Sequence, residues 1–128
     1  MTSYHFSKRL DVPFDTAVTH VIEGLKREGF GILTEIDVKS TLKNKLGEDF
    51  RPYRILGACN PPLAFRALQL ENKIGTMLPC NVIVQEHHDG VEVSAVDPVA
   101  SMQAIENTGL ADVAKEVQAK LKKVIEGL

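Results

Sequence analysis

The chain has 128 residues, 44% hydrophobic and 25% charged, a make-up that fits one soluble globular domain over 1–128 and excludes a disordered or fibrous chain. Fifteen Lys and Arg against seventeen Asp and Glu leave a net charge of −2. No positive field therefore holds a phosphate backbone, and five Phe and two Tyr are too few for base-stacking platforms, so nucleic acid is excluded as a partner.

Tyr4 to Leu10 alternates as a first strand, and Asp11-Val-Pro13 turns the chain into a helix. From Phe14 to Glu28, an apolar stripe of Phe14, Ala17, Val18, Val21, Ile22 and Leu25 predicts an amphipathic helix stopped by Gly29. Phe30 to Ile36 follows as a strand, with Phe30, Ile32, Thr34 and Ile36 on one face and Gly31, Leu33 and Glu35 on the other. Asp37 caps a short helix from Val38 to Leu46 that Gly47 ends, and Glu48 to Pro52 is an exposed loop. Tyr53 to Cys59 has little polar alternation and predicts a buried central strand.

Asn60-Pro61-Pro62 then opens a helix to about Glu71, with Leu63, Ala64, Ala67 and Leu68 as its core stripe. Asn81 to His88 and Val91 to Asp97 are strands around Asp89-Gly90, a pair suited to a type I′ turn. That turn pairs His88 with Val91, Val84 with Ala95 and Val82 with Asp97. It gathers Val82, Val84, Val91, Val93 and Ala95 on the face toward the helices. Asn81, Ile83, Gln85, His87, Glu92, Ser94 and Val96 populate a mixed second face, which Leu33 and Glu35 are expected to join. Leu110, Val113, Ala114, Val117, Leu121, Val124, Ile125 and Leu128 predict a long amphipathic C-terminal helix. The order of elements implies an α+β, two-layer sandwich: a mixed, mainly antiparallel sheet with helices on one face, including the terminal one.

The chemically unusual locus is the pair of Cys-Asn segments. Cys59 stands at a strand end, one residue before the N-cap position of a helix whose amides and dipole favour an anion or a thiolate. Cys80-Asn81 begins the next strand, so the two thiols approach one another if the strands are neighbours. Both cysteines also suit the role of small buried hydrophobes. Asn60 is expected to accept the orphan amides of the helix that Pro61 starts, and Gly57 either allows close backbone packing or leaves room for a ligand. The candidate ligand-binding residues are thus Gly57, Cys59, Asn60, Cys80 and Asn81, with no catalytic residue assigned. His87 and His88 point to opposite faces of a strand and do not chelate together; Glu35 and Glu92 are a conceivable carboxylate pair. The chain has no HExxH, paired CxxC, Gly-rich phosphate loop or GxSxG, so neither a metal nor a cofactor is expected.

Gly57-Ala-Cys-Asn-Pro-Pro-Leu-Ala-Phe-Arg-Ala-Leu68, followed by Leu78-Pro-Cys-Asn-Val-Ile-Val84, resembles the domain-of-unknown-function 302 family of small prokaryotic proteins. Tyr53, Phe30-Gly31-Ile32 and Val96-Asp97-Pro98 extend the resemblance along almost the whole chain. It implies a two-layer α/β fold and homodimers, and carries no catalytic role.

Three functions follow as expectations. The first is a module binding a small ligand, anions included, where the Asn60-Pro61 helix starts. The second is a thiol-dependent enzyme or redox sensor using Cys59 with Cys80 as its resolving partner. The third is a purely structural oligomerising protein. The chain lacks an apolar run of membrane-span length and a leader-like segment, and two cysteines make no disulfide scaffold. A cytoplasmic homodimer with free thiols and no membrane partner is expected.

Overall fold

The computed structural model describes residues 3–128. Five strands, β1 (His5–Leu10), β2 (Gly31–Asp37), β3 (Tyr53–Cys59), β4 (Cys80–His87) and β5 (Gly90–Val96), form one sheet. Its order is β1-β5-β4-β3-β2, and every neighbouring pair is antiparallel. Helices α1 (Phe14–Arg27) and α5 (Thr108–Glu126) pack across one face, α2 (Val38–Leu46) lies along β2 and β3, and α3 (Pro61–Leu70) packs on α5. The fold is therefore the expected α+β sandwich. A single turn of 3-10 helix, Ile74–Met77, and the short helix α4 (Pro98–Ser101) complete it. Among the described residues no helix is long and apolar enough to cross a membrane.

Local chemistry sets the element ends. After α1, Gly29 takes φ 87°, while Phe30 N–H bonds Leu25 O at 2.9 Å and Gly29 N–H bonds Lys26 O at 3.0 Å. Only a residue without Cβ enters that region cheaply, and the motif brings Phe30 and Leu25 together in the core. Asp37 caps α2 by accepting Ser40 N–H at 3.0 Å, as its sequence position predicts. Asn107 caps α5 by accepting Leu110 N–H at 3.1 Å, and its Nδ2 donates to Leu70 O at 2.8 Å, tying the start of α5 to the end of α3. Asp97 caps α4 through Val99 N–H and also accepts Gln118 Nε2, each at 3.0 Å.

Two register expectations are corrected. The residues of the β4–β5 turn are His88 and Asp89, and His87 pairs with Gly90, Val84 with Val93 and Val82 with Ala95. No residue but glycine has positive φ among those described, so a type I′ turn is ruled out; Gly90 alone takes φ 139°, opening β5 where a Cβ would lie 3.2 Å from Leu10 O. An ion pair from Arg9 of β1 to Asp89 secures the turn. Because the slip is two residues, Val82, Val84, Val91, Val93 and Ala95 still share the core face.

The second correction is in β2. The register steps between Ile32, opposite Ala58, and Thr34, opposite Gly57, so Leu33 is the extra residue of a β-bulge. Beyond it, Glu35 pairs with Leu56 and meets Arg54 at 3.0 Å, while Thr34 and Ile36 take the face that Leu33 and Glu35 were expected to hold. Glu35 and Glu92 are consequently on different faces and not a carboxylate pair.

Candidate functional site

The main core under the sheet is built from Val21, Leu25, Phe30, Leu56, Val82, Val93 and their neighbours. A second, smaller core of Leu63, Ala67, Ile74, Leu110 and Val113 lies between α3 and α5, and Val117 touches both. The two cores do not close on each other. Between them lies a half-open cavity of about 340 Å³, walled by Phe30, Ala58 and Cys80 on the sheet side and by Leu63, Ala67 and Val113 on the helix side. Ala58, Ala64, Ala67 and Ala114 stop one carbon from the backbone on facing walls, which is why packed helices leave space there. Leu33 and Leu68 stand at the mouth, 66% and 46% exposed. The bulge is what turns Leu33 to this side.

The cavity's chemistry is narrow. Among the described residues no charged one lines it, and besides carbon-only side chains its lining holds Cys59, Asn60, Cys80 and Met102. Cys59 is half-buried at the end of β3, and Cys80, 7% exposed, is opposite Ala58 on the adjacent strand, so the neighbouring strands do bring the two together. No disulfide joins them in the structure. Burial first, and the nearby Cys59 second, push the Cys80 thiol from 9.0 up to about 11, which keeps it protonated and a poor nucleophile at neutral pH.

Asn60 corrects the capping expectation. Its side chain makes no cap bond to α3; instead Nδ2 donates to Glu28 O at 3.2 Å, bracing the start of α3 against the end of α1. Pro61 and Pro62 fill the first two helical positions and lack N–H groups. Two of the four amides that a helix start normally leaves unpaired are thereby absent. The N-terminus of α3 is thus a poor anion cradle, against the expectation of an anionic ligand.

Of the other candidates, Gly57 faces the opposite side of the sheet, where a Cβ would collide with Thr34 Oγ1 and come within 2.8 Å of Pro79 Cγ. It is a close-packing glycine, not a cavity residue. Asn81 pairs with Gly57 and is exposed on that same opposite face. The structure therefore brings Cys59, Asn60 and Cys80 to one cavity and sets Gly57 and Asn81 apart from it. Sequence reasoning named Ala64, Ala67, Leu68, Leu110, Val113, Ala114 and Val117 only as core; alanines on both facing stripes were the available sign of space.

Residues 6–128 match the family model described as Domain of unknown function DUF302. The chain belongs to the DUF302 family. A crystal structure of an uncharacterized conserved DUF302 protein from Bacillus stearothermophilus is similar to this DUF302 chain at 26% identity, with 98% of each chain covered and a TM-score of 0.91. That likeness spans every element that walls the cavity. No curated protein matches the chain. The DUF302 family is one of unknown function, so any activity must be argued from the cavity itself.

Proposed function

We propose that this DUF302 protein is a binding module for a small, predominantly apolar molecule, held between α3, α5 and the Cys59–Cys80 end of the sheet. The observation that carries the reading is the unfilled space of about 340 Å³ between two hydrophobic cores, walled by carbon and free of charged side chains. Atoms lining such a space lack dispersion partners, and an apolar ligand restores them while leaving water. The volume falls within the usual range of small-molecule sites. In this reading Cys59 and Cys80 are reduced thiols, as in a cytoplasm, and the buried Cys80 serves as a soft part of the wall. The buried, protonated Cys80 argues against a thiol-exchange pair.

Titration with the neutral fluorophore N-phenyl-1-naphthylamine tests the proposal. Saturable uptake of one probe per chain is expected, and it should vanish in Ala67→Leu, which fills the cavity from α3. A probe that does not bind, or that binds the variant equally, overturns the reading.

We further propose that two copies associate through the sheet face opposite α1 and α5. Support comes from Tyr53, Ile55 and Ile83, half-buried apolar side chains on that face, and from the family resemblance. Light scattering at micromolar concentration that shows only a 14.1 kDa species removes this part.

A further inference from the structure

Resting on the binding reading above, the geometry points to a narrower ligand class: we infer that the cavity takes a neutral, unbranched aliphatic chain of medium length that ends in a hydroxyl, a long-chain alcohol, in preference to a carboxylate. Three features carry this. The first is shape. The wall contributed by α3 runs from Asn60 to Leu68, about 12 Å at 1.5 Å per helical residue. The wall from α5 runs alongside it from Leu110 to Val117. A slot two helical turns long between alanine-lined walls suits an elongated molecule and gives an extended chain contact along its whole length.

The second feature is charge. Among the described residues neither Lys nor Arg lines the slot, and Pro61 and Pro62 remove the amides that would otherwise meet an anion at the start of α3. A carboxylate placed there loses water and gains no counter-charge. A hydroxyl needs only one acceptor for its O–H. The Asn60 carboxamide, 9% exposed, supplies an oxygen that accepts no hydrogen bond among the described residues, while its nitrogen is held by Glu28 O.

The third feature is the mouth. Leu33 and Leu68 project into solvent on either side of the opening, and Leu33 is there only because β2 carries a bulge at that residue. An exposed leucine pair flanking an apolar slot extends the carbon surface outward, so that a chain longer than the interior remains in contact as it emerges.

Displacement of bound N-phenyl-1-naphthylamine by a series of chains decides the matter. Decanol should displace the probe, and decanoate and butanol should each be weaker by about tenfold or more, the scale of leaving a charge unpaired or half the slot empty. Leu33→Ser should weaken decanol severalfold and leave butanol unchanged. Should Leu33→Ser fail to fold, Leu68→Ser carries the same expectation. If the probe binds and no alcohol displaces it, the chain assignment falls while the binding reading stands. Decanoate competing as well as decanol overturns the charge argument, and butanol competing as well as decanol overturns the length argument. Probe uptake that drops as protein concentration rises means that a second copy occupies the slot, and the inference fails.

Discussion

Asn60 and Glu28 are 32 residues apart, yet Asn60 Nδ2 donates to the Glu28 carbonyl oxygen at 3.2 Å and couples the start of α3 to the end of α1. This bond sets a test that separates bracing from helix capping. As a cap, Asp is as good as Asn. As a brace it fails, because a carboxylate has no hydrogen to donate and its charge is turned toward a carbonyl oxygen. Asn60→Ala should cost about 1–3 kcal/mol, the loss when a buried bond is broken and an acceptor is left unpaired. Asn60→Asp should cost at least as much at pH 7 and recover as the pH falls, since protonation removes the charge and restores a donor. Urea melts from pH 4 to pH 7 read the difference. An Asp variant as stable as the wild type at pH 7 would return Asn60 to the capping role.

Gly57 makes a second prediction. Its missing side chain lets Thr34 of β2 and Pro79 approach the backbone of β3. Gly57→Ala should destabilise the protein by about 1–3 kcal/mol, the usual range for forcing atoms into packed space. Thr34→Ala in the same chain should recover part of that loss, because it removes the hydroxyl that the new methyl meets. Thermal or urea melts of both single variants and the double variant complete the cycle; strict additivity would show that Thr34 is not the obstacle.

How far these relationships were legible in the sequence depends on the range of the physics involved. Asp37 as a cap, Gly29 as a stop and the apolar stripes of α1 and α5 are local, and each is found where its pattern puts it. The β4–β5 register is less local. Asp89-Gly90 suited a type I′ turn, but the turn formed one residue earlier, with Gly90 beside Leu10 O and Asp89 paired to Arg9 of β1. A strand outside the hairpin thus contributed to its register. The bulge at Leu33 carries no signature in the alternation of β2, so the faces beyond it were assigned the wrong way round. Pro61-Pro62 was legible and its consequence was missed: two prolines at the start of a helix delete the amides that an anion site needs. The cavity depends on which alanines of α3 and α5 face each other, and that is fixed only when the helices pack.

Cys80 links the candidate site to alkaline stability. Burial raises its pKa from 9.0 to about 11, so between those values the unfolded chain has lost the proton that the folded chain keeps. Stability associated with the neutral thiol is fully present below about pH 9 and is lost as pH rises through about 11. Two pH units correspond to about 2–3 kcal/mol at 1.36 kcal/mol per unit. Cys80→Ala should show a loss over this window that is smaller by that amount. In native protein at pH 8, iodoacetamide should modify the half-buried Cys59 before Cys80. Preferential labelling of Cys80, or equal slopes in the two alkaline stability curves, would contradict the burial argument.

The cavity should also oppose stability to binding. Ala67 is 3% exposed and stands on the α3 wall, between the small core and the empty slot. Ala67→Leu adds three carbons on the side where dispersion partners are missing, and Leu is nearly as good a helix former as Ala. The variant should therefore gain about 0.5–2 kcal/mol, the range typical of cavity filling. It should do so while losing the binding of N-phenyl-1-naphthylamine. A core already packed to density would respond in the opposite sense, since overpacking costs about 1–3 kcal/mol. Two measurements on one variant thus report on the same space: a raised midpoint in urea with no probe uptake is what a genuine cavity gives. A lowered midpoint with probe uptake retained would mean that α3 and α5 already meet there, and the slot would not exist in solution.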